Sequence, residues 1–126
     1  CSGLREISIP STVKTVGIGA FENCTELKDI SLPTTLTEIN YYTFSGCTSL
    51  TTLTLHSKLT AINNYAFAGC KSLTEIHCKN SNPPLIGENT FRDVNRIGCK
   101  IFVPSKRAKK SYSTALYWNE FTIYIE

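Results

Sequence analysis

The chain contains 126 residues, of which 41% are hydrophobic and 18% are charged, and its formal net charge is +3. This size and composition indicate one folded domain and exclude an intrinsically disordered chain. No apolar run approaches the ~18 residues that a membrane-spanning helix needs. One basic segment, residues 106–110, supplies four positive charges, and the rest of the chain has a net charge of −1. A nearly neutral body lacks the broad basic face that a phosphate backbone requires, so we expect no nucleic-acid partner.

The sequence begins at Cys1, has no basic-then-apolar signal region, and contains no methionine. A lipid anchor on Cys1 is one interpretation, because mature lipoproteins begin with cysteine, and a segment cut from a longer protein is the other. The second is favoured because Cys1 is in phase with an internal repeat. The first repeat would then have an uncovered edge, which solenoids normally cap, so we expect further turns upstream.

A repeat of about 23 residues organises most of the chain, and apolar and small residues recur in columns at this interval, which is the signature of a solenoid. One unit offers about six large apolar side chains, worth roughly 1.5–3 kcal/mol each when buried. Ordering the unit costs about 1–2 kcal/mol per residue in backbone entropy, so a single unit cannot fold and neighbouring units must stack. The main columns are Cys1, Cys24, Cys47 and Cys70; Leu4, Leu27, Leu50 and Leu73; Ile7, Ile30, Leu53 and Ile76; and Phe21, Phe44 and Phe67.

The elements of a unit follow one another in a fixed order. In the second unit, the residues after Leu27 alternate with a period of two, with Ile30 and Leu32 apolar, and Pro33 follows them, which predicts a strand with one buried face. Residues 36–39 predict a shorter extended segment, and residues 43–47 predict a tight helical turn. Equivalent strands must be parallel and about 4.8 Å apart, because every unit winds the same way. The predicted fold is a right-handed leucine-rich-repeat solenoid with a parallel β-sheet on one side and short extended and helical turns on the other.

The fourth unit departs from this pattern. One residue is inserted near Pro83 and Pro84, and Val94 takes the position of the repeated cysteine. Residues 101–104 match the strand of the earlier units and are predicted to form a last strand. The repeats are therefore expected to cover residues 1–104.

Residues 105–126 are predicted to form a C-terminal cap with a short helix. Ser105 can cap a helix over residues 106–112 through its side chain. The basic residues of this helix are interpreted as a solvated face, and contact with an anionic surface is the alternative. We expect the apolar side chains that follow to seal the last rung: Tyr117, Trp118, Phe121, Ile123 and Ile125.

The cysteine column allows three interpretations. A zinc site is excluded because no close pair of the C-x-x-C type is present. Disulfides between neighbouring rungs have an acceptable Cα separation, but parallel side chains suit the required torsion poorly. A stack of buried, unreactive thiols is favoured. Cys78 and Cys99 lie outside the column and are expected about 13 Å apart at strand rise, too far for a bridge.

The sequence offers no catalytic motif of a known mechanism. His56 and His77 are predicted to face outward on adjacent rungs, with Glu75 beside them, which leaves a metal-assisted enzyme as a weak alternative. Cys78 cannot act as a nucleophile with His77, because adjacent strand residues face opposite sides of a sheet. We therefore predict a protein that is not an enzyme and that needs no cofactor.

The outward positions of the sheet remain as the candidate site. Stacked hydroxyl and charged side chains would form a regular, hydrogen-bonding wall on the concave face, where solenoids usually bind proteins or glycans. The alternative is that these polar residues have no binding role and occupy the repeat positions only because they favour strands. The candidate partner-binding residues are Glu6, Ser8, Asp29, Ser31, Thr52, Thr54, Glu75, His77, Lys100 and Phe102.

The repeat units resemble the BspA-type leucine-rich repeats of bacterial surface antigens. The resemblance rests on L-K-D-I-S-L-P at residues 27–33, L-T-E-I at residues 36–39 and T-F-S-G-C-T-S-L at residues 43–50. It covers residues 1–104, and residues 82–126 are similar to C-terminal units of gut Bacteroides members. No residue-level binding motif is shared across that family, so no site residue is carried over from it.

The resemblance implies an exported, extracellular protein of the bacterial cell surface. It also implies a role in adhesion, because some members of the family adhere to host extracellular matrix or to other cells. The leading hypothesis is a non-catalytic segment of a larger surface protein that binds a host or cell-surface protein, or a glycan. A structural spacer within that larger protein is the alternative.

Overall fold

The structure is a computed structural model that describes residues 3–126 of the chain. Its strands belong to two series, and every paired strand is parallel to its neighbour. The elements in chain order are β1 Glu6–Ser8, β2 Asp29–Ser31, β3 Glu38–Ile39, β4 Thr52–Leu55, β5 Ala61–Ile62, β6 Glu75–Cys78, β7 Leu85–Ile86, β8 Lys100–Val103, the α-helix α1 Lys106–Thr114, the 3-10 turn Trp118–Glu120 and β9 Thr122–Ile125.

The first series forms the sheet predicted from the L-x-x-I-x-L segments. Strands β1 and β2 pair with each other, β4, β6, β8 and β9 form a four-stranded sheet, and β2 lies beside β4. The second series, β3, β5 and β7, forms a three-stranded sheet. Glu6 lies opposite Asp29, which is one repeat later in the chain. Ala61 lies opposite Leu85, which is later by one repeat plus the inserted residue. The insertion near Pro83 thus shifts the register without interrupting the stack, and the predicted parallel solenoid is confirmed.

Two columns of the repeat fill the interior. Cys24, Cys47 and Cys70 are fully buried, as the periodicity predicted. The phenylalanine column forms a continuous stack whose ring centroids are 5.4–5.6 Å apart. Stacked rings at this separation lie within the favourable range for aromatic pairs, so each turn contributes a ring that covers the next. The stack consists of Phe21, Phe44, Phe67 and Phe91.

The cysteine column is not made of thiols throughout. Cys24 is disulfide-bonded, so the predicted unreactive thiol is wrong at this position. A buried cysteine can form a disulfide wherever the Cα separation allows one, so burial alone does not make it an unreactive thiol. Four further cysteines are free, as predicted: Cys47, Cys70, Cys78 and Cys99. The predictions made for Cys1 lie outside the described residues.

Each turn reverses through residues in the left-handed backbone region. The residue before each repeated cysteine has a positive φ, which is 60° at Asn23, 76° at Gly46 and 74° at Gly69. Asp93, before Val94, has a φ of 67° in the fourth unit. Glycine and asparagine tolerate this region best, since a Cβ atom there approaches the following carbonyl.

Replacement of Gly46 by alanine should lower the free energy of unfolding by about 1–2 kcal/mol. The new Cβ would combine a left-handed φ with a clash against Oδ1 of Asn23, which would have to move. The matched control is Gly17→Ala, because a Cβ at Gly17 meets no atom within 4 Å and the φ of Gly17 is not left-handed. Urea denaturation of both variants measures the difference, and equal losses would contradict the assigned backbone conformation.

The cap begins as predicted. The Ser105 side chain accepts a hydrogen bond from the backbone N–H of Ala108 at 3.1 Å, and α1 extends beyond the predicted end to Thr114. Trp118, Phe121 and Ile123 are buried against the last rung.

Two of the predicted sealing residues do not seal the core. Tyr117 is only half-buried and has a φ of 68°, and Ile125 is 45% exposed. The cap supplies β9, an unpredicted further rung that pairs with β8. No described strand covers the outer edge of β9, so its end keeps Ile125 accessible.

Candidate binding face of the sheet

The alternation of each strand places the ten predicted partner-binding residues on one face of the sheet. Core residues such as Leu53, Ile76 and Ile101 are buried on the other face. The outward positions form two ladders along the stack. The first ladder is Glu6, Asp29, Thr52, Glu75, Lys100 and Thr122, and the second is Ser8, Ser31, Thr54, His77, Phe102 and Tyr124. We call this surface the sheet face.

The first two rungs give the sheet face an acidic, hydroxyl-bearing end. Glu6 and Asp29 lie opposite each other, as do Ser8 and Ser31, and all four are exposed. Together with two isoleucines of the same strands they line an open depression of about 450 Å³. Two neighbouring carboxylates in such a depression suit a partner that brings cations or hydrogen-bond donors.

The last three rungs give the sheet face an aromatic end. The rings of His77 and Phe102 stack with their centroids 4.8 Å apart, and Phe102 stacks on Tyr124 at 5.7 Å. The Lys100 ammonium lies 5.7 Å from the centroid of the Tyr124 ring, within the range of a cation–π contact. Tyr124 is exposed and Phe102 is half-buried, and aromatic side chains are among the types enriched in the buried cores of protein interfaces.

Ionic contacts fix the edge of this aromatic end. Nδ1 of His77 lies 2.5 Å from Oε1 of Glu126, and Nε2 of His77 lies 3.1 Å from Oε1 of Glu75. The Lys79 ammonium donates to Oε2 of Glu126 at 3.0 Å. Hydrogen bonds from Lys79 and His77 lower the pKa of the Glu126 carboxyl. These contacts tie the end of β9 to β6, two strands away.

Sequence reasoning missed three residues: Thr122 and Tyr124 of the sheet face, and Glu126 at its edge. All three depend on β9, which was not predicted as a strand. A weak signal was available, because Ile123 and Ile125 alternate with polar or aromatic residues.

His56 does not have the role that the metal-assisted alternative gave it. Its Nδ1 accepts a hydrogen bond from the backbone N–H of Lys58 at 3.1 Å, and its Nε2 lies 2.7 Å from the carbonyl oxygen of Leu36. Both ring nitrogens are thus engaged by the backbone, which leaves no lone pair for a metal ion. Over residues 3–126, no three His, Cys, Asp or Glu residues are grouped so that they could hold a metal.

The free thiols are buried, and burial suppresses their ionisation to thiolate. Burial raises the pKa of Cys47 to about 11 and those of Cys70, Cys78 and Cys99 to about 12. A thiolate, rather than a thiol, is the nucleophile in cysteine chemistry. These four side chains therefore do not form a nucleophilic centre in the folded chain.

We expect these four thiols to resist a disulfide exchange reagent at mildly alkaline pH while the chain is folded. The thiols should react only after the chain unfolds, because each cysteine is no more than 1% exposed in the folded chain. Stopped-flow measurement with and without urea tests this expectation. Rapid labelling of any of the four in native buffer would show an accessible thiol and contradict it.

No helix within residues 3–126 combines the length and the apolar character needed to cross a membrane.

Comparison with known proteins gives a consistent assignment. The family model described as BspA type leucine rich repeat region matches residues 1–118 in six copies. A leucine rich cell surface protein from Faecalibacterium prausnitzii A2-165 is similar in structure, with a TM-score of 0.75 and 29% sequence identity. The match covers 97% of this chain and 30% of that protein. No curated protein matches the chain.

A second solved structure supports the fold alone. It is a leucine-rich repeat protein from Bacteroides ovatus ATCC 8483, with a TM-score of 0.52 and 20% identity. The match covers 97% of this chain and 43% of that protein. The chain thus spans less than half the length of either solved structure.

Proposed function

Because the chain belongs to the BspA-type leucine-rich repeat family, we propose that it is a non-catalytic binding segment of a bacterial cell-surface protein. It acts outside the cell, and its partner is a host or cell-surface protein that docks on the sheet face. A glycan is the second candidate for this partner. The surface location is supported by the description of the F. prausnitzii relative as a cell surface protein.

The composition of the sheet face is the observation that supports this proposal. One end carries the exposed carboxylates of Glu6 and Asp29, and the other carries the Phe102 and Tyr124 rings. Merely soluble strand residues would not stack aromatic rings on a solvent-facing surface, where their apolar area remains in contact with water. A partner that covers the rings and pairs with the carboxylates would use both ends.

A structural spacer is the second candidate function. It is supported by the continuous phenylalanine stack, which couples each turn to the next along the coil. Nearest-neighbour packing of this kind makes a solenoid stiff along its axis. A spacer needs no partner on the sheet face, so a binding assay separates the two candidates.

The test is binding of the chain to immobilised collagen, immobilised laminin and a glycan array, with and without reversal of charge on the sheet face. The variant combines Glu6→Lys, Asp29→Lys and Glu75→Lys. We expect it to weaken the detected interaction about tenfold or more, because like charges across an interface are strongly unfavourable.

The matched control reverses three exposed carboxylates away from both the sheet face and Glu22: Glu26, Glu38 and Glu88. It produces the same change of net charge, so it should retain the affinity of the original chain. Equal loss in both variants would indicate non-specific electrostatics. Absence of binding to every probe would favour the spacer.

A further inference from the structure

A second exposed surface lies on the helical turns, away from the sheet face. Its apolar side chains are unusually accessible: Ile18 is 68% exposed, Tyr41 is 45% exposed and Tyr42 is 38% exposed. Ile18 and Tyr41 occupy the same repeat position on adjacent turns, and Tyr65 follows Tyr42 one repeat later. We call Ile18, Tyr41, Tyr42 and Tyr65 the turn patch.

The two stacked tyrosines of the turn patch are held in a conformation that tyrosine rarely adopts. Tyr42 has a φ of 59° and Tyr65 a φ of 65°. Their rings stack with centroids 4.9 Å apart and an angle of only 2° between the planes. Left-handed backbone costs on the order of 1–3 kcal/mol at a bulky residue, and such strain clusters at functional sites. The strained backbone holds these rings parallel on the surface.

The stack stops at the turn before Tyr42. Gly19 is the equivalent residue there and has the same left-handed backbone, with a φ of 67°, but no side chain. Among the described residues no aromatic ring lies over the outer face of Tyr42. Tyr42 is 38% exposed, and we call the space over this uncovered ring face, beside Gly19, the opening.

The Glu22 carboxylate lies next to the Gly19 backbone at this opening. A Cβ atom built on Gly19 would lie 3.1 Å from Oε1 of Glu22. Glu22 is exposed and forms no salt bridge within residues 3–126. A ligand in the opening would therefore meet an apolar ring face on one side and a hydrogen-bond acceptor at the rim.

We propose that this opening binds one pyranose ring of a glycan. The C–H face of a sugar ring can lie against the Tyr42 ring, while its hydroxyls donate to the Glu22 carboxylate. An apolar side chain of a protein fits this chemistry less well, because it would take the carboxylate out of water without supplying a donor. This site is separate from the sheet face and does not depend on the partner proposed for it.

The test uses methyl glycosides of glucose, galactose, mannose and N-acetylglucosamine, with N-acetylphenylalanine amide as an aromatic probe. Binding is followed by NMR through the shifts of the tyrosine ring protons. For a single sugar ring we expect a Kd on the order of 1 mM. Tyr42→Asn should abolish the shifts and keep the fold, checked by circular dichroism, because asparagine tolerates left-handed backbone.

Gly19→Tyr is the complementary variant, because it places a ring of the chain itself in the opening. It should raise the Kd at least tenfold while Tyr42 is retained. The triple variant of the sheet face at Glu6, Asp29 and Glu75 should bind the sugar unchanged. The proposal is overturned if no pyranoside shifts the rings, if only the aromatic amide binds, if binding survives both turn variants, or if the sheet-face variant loses it.

Discussion

Replacement of Phe67 by alanine should lower the free energy of unfolding by about 3–5 kcal/mol. Phe67 is fully buried, and its two faces are covered by Phe44 at 5.4 Å and Phe91 at 5.6 Å. Alanine would remove the ring, open a cavity in the column, and end two aromatic pairs worth about 0.5–1.5 kcal/mol each. Urea denaturation measures the loss, since a domain of this kind has about 5–15 kcal/mol in total.

The matched control is the same substitution at the end of the column. Phe21 is half-buried, and within residues 3–126 it stacks on a single ring, Phe44, at 5.5 Å. Phe21→Ala should therefore cost roughly half as much as Phe67→Ala, since less area and one pair are lost. Equal costs would mean that the column does not transmit packing from turn to turn. In that event the nearest-neighbour description of the coil would be wrong.

The repeat columns explain why most of the fold could be predicted. A residue that recurs once per repeat must occupy the same place in each turn, so the buried column of Cys24, Cys47 and Cys70 followed from spacing alone. The alternation around Ile30 and Leu53 likewise determined which side chains face outward on the sheet. Periodicity replaces tertiary information in such a chain, because neighbouring contacts repeat.

Prediction failed where the period ends. Strand β9 has no leucine-rich signature and no terminal proline, and it forms because the exposed edge of β8 offers backbone partners. The positions of Tyr124 on the sheet face and of Glu126 at its edge depend on that pairing, so they could not be assigned from the sequence. An alignment of the repeats cannot predict a contact between the ends of β9 and β6, such as that of Glu126 with Lys79.

The backbone strain could not be predicted from the sequence either. Nothing in tyrosine's intrinsic preference predicts a left-handed φ at Tyr42 and Tyr65, because the geometry of the turn imposes it. The only signal was Gly19 in the same column, a residue that accepts this conformation freely. The backbone contacts of His56 could not be predicted for a similar reason, since they depend on local positions that spacing does not define.

One side chain of the cap, Trp118, both stabilises the fold and holds in place the segment that completes the sheet face. Trp118 is fully buried and contacts Phe91, Tyr112 and Phe121, with ring centroids between 5.2 and 6.0 Å. Its indole N–H donates to the carbonyl oxygen of Pro84 at 2.8 Å. It therefore joins the last repeat turn to α1 and to the segment that leads into β9.

We expect Trp118→Ala to cost about 3–5 kcal/mol and to release β9 before the rest of the coil unfolds. Hydrogen exchange should show lost protection in residues 122–125 at urea concentrations that leave β4 and β6 protected. Because Tyr124 and Glu126 would leave the sheet face with β9, binding through the aromatic end should fall in parallel. An intact β9 in this variant would mean that pairing with β8 alone holds the strand.

Two further substitutions separate the parts of this effect. Trp118→Phe keeps an aromatic ring but leaves the Pro84 carbonyl without its donor, which should cost about 1–3 kcal/mol. Leu116→Ala removes a neighbouring side chain that is 69% exposed, and should change stability by less than about 0.5 kcal/mol. If Trp118→Phe matched Trp118→Ala, the hydrogen bond to Pro84 would dominate. If Trp118→Phe cost as little stability as Leu116→Ala, packing of the ring alone would account for the contribution of Trp118. The Pro84 carbonyl would then accept a hydrogen bond from another donor in the variant.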